Sequence, residues 1–302
     1  MELRQLNYFK AACELRNFSE AARMLHISQS TLSQQIGQLE EELGILLFDR
    51  VGKRVLPTEA GLALLPYASK AIQDAEDGKQ MIRDLKGIRT GELHVGVTHS
   101  MISLMLPALE RFTRDYPHIG LRVTQGTSEE LLQQLERHAL DFVLSFKPRE
   151  VYNDFETMPL FLSELYFVVH HSHRLASLSS ITLKRLSATP LILPERGFAT
   201  RTKIEELCRK NRLSLTVGIE MNDVHTILHL LRGGEWGTIL TQAAVADEPD
   251  LVRVPILCAE PLTSPGYLFW PQGCYRKRAA TAFADYLLEV IREGNFRPIP
   301  EG

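Results

Sequence analysis

Two helices joined by a tight turn are predicted by residues 18–43, FSEAARMLHISQSTLSQQIGQLEEEL. Ser19 is placed to cap the first helix, and Ser28 is placed to cap a longer second helix. The apolar residues of the second helix recur at steps of four, three and four: Leu32, Ile36, Leu39 and Leu43. This spacing puts them on one face of the helix, and we expect that face to be buried.

Short polar side chains crowd the N-terminal half of the second helix and lie largely off its apolar stripe. They are Ser28, Gln29, Ser30, Thr31, Ser33, Gln34 and Gln35. Such side chains exchange hydrogen bonds with base edges and phosphates, and a helix-turn-helix presents its second helix to the major groove of DNA. An ordinary helical hairpin with a solvated polar face shows the same pattern, so both interpretations stand on these residues alone.

The segments on either side of the hairpin favour DNA binding. Upstream, residues 3–15 predict an amphipathic helix that covers the apolar side of the hairpin. Downstream, residues 46–61, LLFDRVGKRVLPTEAG, predict a β-hairpin with its turn near Gly52. Arg50, Lys53 and Arg54 on this hairpin are typical of a wing that contacts the phosphate backbone.

These motifs resemble the winged helix-turn-helix of LysR-type transcriptional regulators. The resemblance rests on residues 9–50, FKAACELRNFSEAARMLHISQSTLSQQIGQLEEELGILLFDR, and on LPTEAG after them; Ser30-Thr31 departs from the Pro-Ala of many members. It implies double-stranded operator DNA and a small-molecule effector as partners, and assembly as a homodimer or homotetramer. The alternative is a different class of protein, a cytoplasmic α/β solute-binding or catalytic protein with a helical N-terminal extension.

Composition narrows the range of functions. The 302 residues have a formal net charge of −3, and residues 1–58 hold seven basic and seven acidic side chains. Because the net charge does not attract DNA, the local placement of the basic residues has to do so. We therefore expect that at least a dimer is needed to bind DNA with useful affinity. Four scattered cysteines without a C-x-x-C pair fit a reducing cytoplasm. Because no secretory signal, membrane span, metal motif or catalytic motif is visible, we expect a cytoplasmic protein without enzymatic activity, cofactor or metal.

Residues 59–87 predict one long helix with a narrow apolar stripe. The stripe consists of Leu65, Ala68, Ile72, Ala75 and Ile82. Pro66 is expected to start or kink this helix, because proline cannot donate a hydrogen bond to the preceding turn. A single helix with such a stripe needs a partner, and we expect the same helix of a second copy to cover it. Packing of the helix on its own domain is the alternative. The LysR resemblance implies the same dimerising linker.

The pattern changes at residues 85–97, LKGIRTGELHVGV, and strands then alternate with helices. This order predicts an α/β fold with two halves joined by crossing strands, which resembles the periplasmic-binding-protein-like effector domain of LysR members. The expected divisions are a winged helix-turn-helix over 1–58, a linker helix and hinge over 59–90, and an effector-binding domain over 91–302. Within that domain, subdomain I takes 91–162 and 268–302, and subdomain II takes 163–267.

Polar residues stand where the predicted strands end and the next helices begin. The candidate effector-binding residues are Thr98, His99, Ser100, Thr127, Ser128, Phe198, Thr200, Arg201 and Asn222. Ligands of open α/β sheets bind at such ends, and hydroxyls with backbone N–H groups at helix starts suit a small anion. Helix capping explains each residue taken alone. The runs GKQMIRDL, FATR and TSEELLQQLERHALDFVLSF resemble the subgroup that regulates cyanate-utilisation operons, which implies a very small anion such as cyanate.

Overall fold

The computed structural model describes residues 1–51, 54–85, 87, 90–146, 155–246, 248–259, 262–294 and 296–299. The chain forms two compact units, Met1–Leu85 and Lys86–Gly302, and each is described by itself. None of the helices in the described residues combines the length and the apolar composition that a membrane span requires.

The first unit consists of three helices, a β-hairpin and one long helix. Its elements are α1 Leu3–Leu15, α2 Phe18–Met24, α3 Gln29–Leu43, β1 Phe48–Val51, β2 Arg54–Pro57 and α4 Glu59–Asp84. The two strands pair antiparallel, with Phe48 opposite Pro57. The ring of Phe9 on α1 packs against that of Phe48 with centroids 5.5 Å apart, so the hairpin is attached to the helical core. This arrangement confirms the predicted winged helix-turn-helix.

The start of α2 differs from the prediction. Asn17, not Ser19, is the N-cap, because its Oδ1 accepts the backbone N–H groups of Ser19 and Glu20 at 2.9 and 3.2 Å. A side chain just before a helix is placed to reach these amides, so the helix starts earlier than predicted. The start of α3 is as predicted, since Ser28 Oγ accepts the Thr31 N–H at 3.1 Å.

The buried face of α3 is shorter than predicted. Leu32, Ile36 and Leu39 are fully buried, whereas Leu43 is 41% exposed. Gly44 ends the helix in the left-handed region with φ +68°. Leu43 thus lies in the last turn, outside the buried cluster formed by the earlier part of the helix.

The long helix α4 starts after Thr58, whose Oγ1 accepts the Gly61 N–H at 3.1 Å. Pro66 lies inside α4, so it does not start the helix. Ala68 is only 1% exposed and belongs to the core of its own unit, where α1 packs against α4. The assignment of Ala68 to a contact with a second copy is therefore wrong, because the core of its own unit already buries it.

The second unit is built around a mixed β-sheet with helices on its faces. Its strands are β3 Gly91–Thr98, β4 Ile119–Gly126, β5 Phe142–Phe146, β6 Phe155–His170, β7 Ile181–Thr182, β8 Leu191–Pro194, β9 Val217–Met221, β10 Gly237–Thr241, β11 Leu251–Leu257 and β12 Thr263–Pro271. Its α-helices are α5 Ile102–Asp115, α6 Ser128–Glu136, α7 Leu183–Ser187, α8 Ala199–Lys210, α9 Val224–Leu231 and α10 Arg278–Glu293. Short 3₁₀ turns lie at His99–Met101 and Gln242–Val245.

The strand order is β4-β3-β5-β12-β6-β10-β8-β9, with β11 also paired to β6. In the first half, β3 pairs parallel with β4 and β5, and in the second half β8 pairs parallel with β9 and β10. Between them, β12 and β6 run antiparallel to their neighbours. Parallel strands with crossover helices in both halves confirm the predicted α/β class.

Strands β6 and β12 connect the two halves. The first part of β6 pairs with β12, and residues 165–169 of the same strand pair with β10. The boundary expected at 162/163 lies inside β6, and the one expected at 267/268 lies inside β12. Strand β6 therefore contributes backbone hydrogen bonds to both halves, whereas β12 pairs with β5 and with the first part of β6. The C-terminal helix α10 packs on α5 in the first half, with the rings of Phe112 and Phe283 5.4 Å apart.

Candidate functional site

The first unit presents the polar N-terminal part of α3 on its surface. Ser28, Gln29, Ser30, Thr31 and Gln34 are exposed, and Ser33 and Gln35 are half-buried. Several of these groups are already hydrogen-bonded: Ser28 Oγ lies 2.8 Å from the hydroxyls of both Ser30 and Thr31. The buried stripe of the same helix holds this polar surface in place. Base contacts by these residues stay a prediction.

The β1–β2 hairpin has the geometry of a wing, with Arg50 paired to Val55 and Arg54 paired to Val51 in the strand register. Lys53 lies outside the described residues, and so do the side chains of Arg50 and Arg54. Their assignment to phosphate contacts therefore also stays a prediction.

Glu40 fixes the connection between α3 and the wing, a role that the sequence prediction missed. Its Oε1 accepts the backbone N–H groups of Leu47 and Phe48 at 2.8 and 3.2 Å, and the residue is buried. Two backbone donors at the start of β1 are thereby satisfied. The sequence did contain an indication that Glu40 is buried: it lies four residues after Ile36, which puts it beside the apolar stripe of α3.

Exposed apolar side chains lie along α4. They are Leu62, Tyr67, Met81 and Ile82, and Leu85 directly after the helix is also exposed. Among the predicted dimer residues, Ile82 is 55% exposed, whereas Leu65, Ile72 and Ala75 are half-buried. Leu65 and Ile72 pack against the core of their own unit. Of the predicted stripe, Ile82 is therefore the residue most accessible to a second copy, and the contact itself stays a prediction.

In the second unit, one small cavity brings together most of the predicted effector residues. Its volume is about 20 Å³. It is lined by Thr98, Ser100, Thr127, Ser128, Phe198 and Thr200, together with Gly126, Phe146, Gly197 and Ala199. A cavity needs roughly 10–15 Å³ to hold one water molecule, so this conformation has room for a ligand of very few atoms.

Helix starts converge on this cavity. Thr127 caps α6 through a reciprocal contact, in which its hydroxyl accepts the Glu130 N–H at 3.3 Å and donates to Glu130 Oε2 at 2.9 Å. The backbone N–H and the hydroxyl of Thr127 hold the pKa of the Glu130 carboxyl below its ordinary value. Helix α8 starts differently: Gly197, with φ +103°, turns the chain into it, and its N-cap Phe198 makes no side-chain capping bond. The first-turn N–H groups of α8 thus lack a side-chain cap and carry the positive end of the helix dipole.

Two buried hydroxyls at the cavity have no hydrogen-bond partner among the described residues, Thr98 Oγ1 and Thr200 Oγ1. The residues are 7% and 2% exposed. A buried polar group without a partner destabilises a fold by roughly 1–3 kcal/mol, so a ligand that bonds to both hydroxyls would relieve this cost. The lining residues include hydroxyls and backbone amides but no cationic side chain.

Arg201 does not contribute to the cavity, contrary to the sequence prediction. It is 3% exposed, and its guanidinium donates to the Pro194 carbonyl at 2.9 Å, to Glu205 at 2.6 Å and to Glu220 at 3.0 Å. Its charge is therefore neutralised by two carboxylates of its own subdomain, and its role is to hold α8 against β8 and β9. The assignment of Arg201 to the effector is wrong for this reason.

Two other predicted residues also lie outside the lining. Asn222 is exposed beyond the end of β9, and His99 packs against Phe198 rather than against the cavity itself. Conversely, Gly126 and Phe146 line the cavity and were missed. Both are the last residues of parallel strands, which is the signal that would have identified them.

Comparison with known proteins places both units in one family. Residues 3–62 match the bacterial regulatory helix-turn-helix protein model of the lysR family, and residues 86–292 match the LysR substrate binding domain. The RuBisCO operon transcriptional regulator of Allochromatium vinosum is 30% identical over 292 residues, which cover 95% of this chain and 96% of that protein. The HTH-type transcriptional activator CmpR of Synechocystis sp. is 30% identical over 287 residues, 94% of each chain.

Solved structures show the same architecture. A full-length OxyR variant from Pseudomonas aeruginosa superposes with a TM-score of 0.74 at 25% identity, covering 100% of this chain and 98% of that chain. Full-length CbnR in complex with its target DNA superposes with a TM-score of 0.60 at 25% identity, covering 96% and 100%. The chain therefore belongs to the LysR family of transcriptional regulators, proteins that bind DNA and small-molecule effectors and that form oligomers.

Proposed function

We propose that this chain is a cytoplasmic transcriptional regulator whose activity at its operator is controlled by a small anion bound in the cavity of the second unit. The observation that carries this proposal is the pair of buried hydroxyls, Thr98 Oγ1 and Thr200 Oγ1, that have no partner among the described residues and line the same cavity. An acceptor placed between them would satisfy both groups at once.

An anion suits this site better than a cation or a large apolar ligand. The hydroxyls and the uncapped start of α8 supply donors, and charge-assisted bonds to an anion are stronger than neutral ones. The cavity volume of about 20 Å³ favours an ion of few atoms, and cyanate belongs to this class. Arg201 is committed to ion pairs, so the donors of the helix starts would carry the binding.

The DNA part of the proposal assigns base contacts to Gln29, Ser33 and Gln34 and phosphate contacts to the wing residues Arg50, Lys53 and Arg54. The exposed N-terminal half of α3 supports the first assignment. The seven basic and seven acidic residues of the segment 1–58 support a dimer, because one neutral domain releases few counterions from DNA. The exposed apolar side of α4 would join the two copies.

The test is calorimetric titration of the full chain with cyanate, nitrate and bicarbonate, in parallel on the parent, Thr200→Val and Thr202→Val. Thr202 is the matched control, because its hydroxyl is already bonded to the Phe198 carbonyl at 3.3 Å. Thr200→Val removes the unpaired hydroxyl at nearly constant shape. We expect it to raise the free energy of unfolding without ligand by roughly 1–2 kcal/mol and to weaken anion binding about tenfold.

Thr202→Val should bind the anion as the parent does. Parental affinity in Thr200→Val would contradict the site, since its hydroxyl would then make no contact with the ligand. A parent protein that binds none of the three ions would contradict the proposed class of small anions. A gel-shift experiment with the same variants is the control for DNA binding, which neither substitution should change.

A further inference from the structure

Ser19 and Gln29 form a direct contact between the two helices of the helix-turn-helix. The hydroxyl of Ser19 on α2 donates to Gln29 Oε1 at 2.8 Å, although the residues lie ten positions apart in the chain. Both side chains are exposed. Ser19 does not cap α2, because Asn17 accepts the N–H groups at the start of that helix. The Ser19 hydroxyl is therefore not required for the helix start, and its described partner is the first residue of α3.

The restraint on Gln29 differs from those on its neighbours. The hydroxyl of Ser28 is bonded to those of Ser30 and Thr31 within one turn, and Gln35 donates to Gln38 at 3.0 Å on the same helix. These contacts move with α3. The contact of Gln29 comes from α2 instead, so it fixes the direction of the carboxamide relative to the whole hairpin.

The chemistry of the carboxamide makes this direction important. A glutamine pairs with adenine through two bonds in the major groove, its oxygen accepting from N6 and its nitrogen donating to N7. The amide oxygen has two acceptor sites, so Oε1 is able to accept from Ser19 and from a base at the same time. Among the described residues neither N–H group of Nε2 has an acceptor, so both can donate to the base. A long side chain that is held before binding loses less rotamer entropy when the complex forms.

We propose that Ser19 is a positioning residue for DNA sequence recognition, which holds the carboxamide of Gln29 for base contact without touching the base itself. The inference rests on the proposed role of Gln29 in the major groove. It predicts that Ser19 and Gln29 act on the same base pair, although they lie on different helices.

The test is selection of bound DNA from random-sequence duplexes by the full-length parent, Gln29→Ala, Ser19→Ala, Ser19→Thr and the double alanine variant. Gln29→Ala should reduce the preference at its base pair by roughly 5- to 100-fold. Ser19→Ala should reduce the preference at the same base pair by about two- to tenfold, the effect of one neutral hydrogen bond. Ser19→Thr keeps the hydroxyl and should keep the preference, and Ser19→Ala should have no further effect when Gln29 is already alanine.

Asn17→Ala is the control for a purely structural effect. It removes the cap of α2 and should lower the thermal midpoint while the Ser19 hydroxyl remains, so its selected sequences should match those of the parent. Ser19→Ala should leave the thermal midpoint unchanged.

Three results would overturn the inference, and they are distinguishable. If Gln29→Ala selects the parental sequences, the proposed base contact of Gln29 is wrong, and the role of Ser19 is lost with it. If Gln29→Ala changes the selected base but Ser19→Ala does not, Gln29 reads DNA without help from Ser19. If Ser19→Ala weakens binding to all sequences equally, Ser19 contacts a phosphate rather than positioning Gln29.

Discussion

The imidazole of His99 stacks on the phenyl ring of Phe198, with ring centroids 5.7 Å apart and an interplanar angle of 30°. His99 follows β3 in the first half of the second unit, and Phe198 precedes α8 in the second half. Phe198 also lines the proposed effector cavity, whose other lining residues come from both halves of the second unit. The stack therefore joins the two halves at the proposed effector site and holds the start of α8, which includes the buried Thr200, against the first half.

We predict that His99→Ala lowers the free energy of unfolding of the second unit and lowers its affinity for the proposed anion. An aromatic stack contributes roughly 0.5–1.5 kcal/mol beyond its buried area, so a double-mutant cycle of His99→Ala with Phe198→Ala should give a coupling of that size in the free energy of unfolding. His99→Phe keeps a ring at this position and should restore most of the coupling. Additive effects of the two alanine substitutions would show that the stack contributes no stability.

Glu40 should be essential for attaching the wing. Glu40→Ala leaves the buried N–H groups of Leu47 and Phe48 without their acceptor, so we expect the free energy of unfolding of the first unit to fall by roughly 2–3 kcal/mol. Glu41→Ala, at an exposed position on the same helix, is the control and should change it by less than about 0.5 kcal/mol. Thermal unfolding followed by circular dichroism measures both. Equal effects of the two substitutions would mean that the bonds of Glu40 do not stabilise the wing.

Replacing Ile82 with aspartate should separate the copies of the chain. Ile82 is 55% exposed on α4, so the substitution leaves the unit's own core intact, but it places a charge where we propose that a second copy packs. Light scattering should show a lower mass for Ile82→Asp and the parental mass for Ile82→Val. An aspartate variant with the parental mass would exclude this side of α4 from the interface.

The second unit should lose stability in mild acid through His173. Burial, aided by the charge of Arg174, lowers the pKa of the His173 imidazole below its ordinary value, and His173 Nδ1 accepts the Leu175 N–H at 3.1 Å. The unfolded chain therefore takes up the proton first. This contribution to stability is complete above about pH 6.5 and is lost as the pH falls towards the lowered pKa, with a slope of at most about 1.4 kcal/mol per pH unit. Thermal midpoints between pH 7.5 and 5 should fall less steeply in His173→Gln than in the parent; parallel curves would contradict the prediction.

Local sequence patterns predicted many, but not all, of the helices and strands of both units. The Ser28 cap and the spacing of Leu32, Ile36 and Leu39 define α3, and each of these features operates within a few residues of chain. The alternation of strands and helices after residue 91 likewise predicted the α/β class and a strand end near Thr98. Periodicity and capping depend on residues that are close together in the chain, so both can be recognised in a single sequence.

The partners of individual side chains were decided by the tertiary structure. Arg201 was expected at the ligand. Its guanidinium instead donates to the Pro194 carbonyl, seven residues before it, and to Glu220, nineteen residues after it. Ala68 was expected at a second copy, but it is buried in the core of its own unit, which includes residues of α1 some fifty positions earlier in the chain. The sequence by itself determined the start of α3 and most of its apolar face, although it did not locate the start of α2. Only the folded chain decided which charges are neutralised and which apolar faces are already covered, because burial and ion pairing depend on residues that meet through packing and not through spacing.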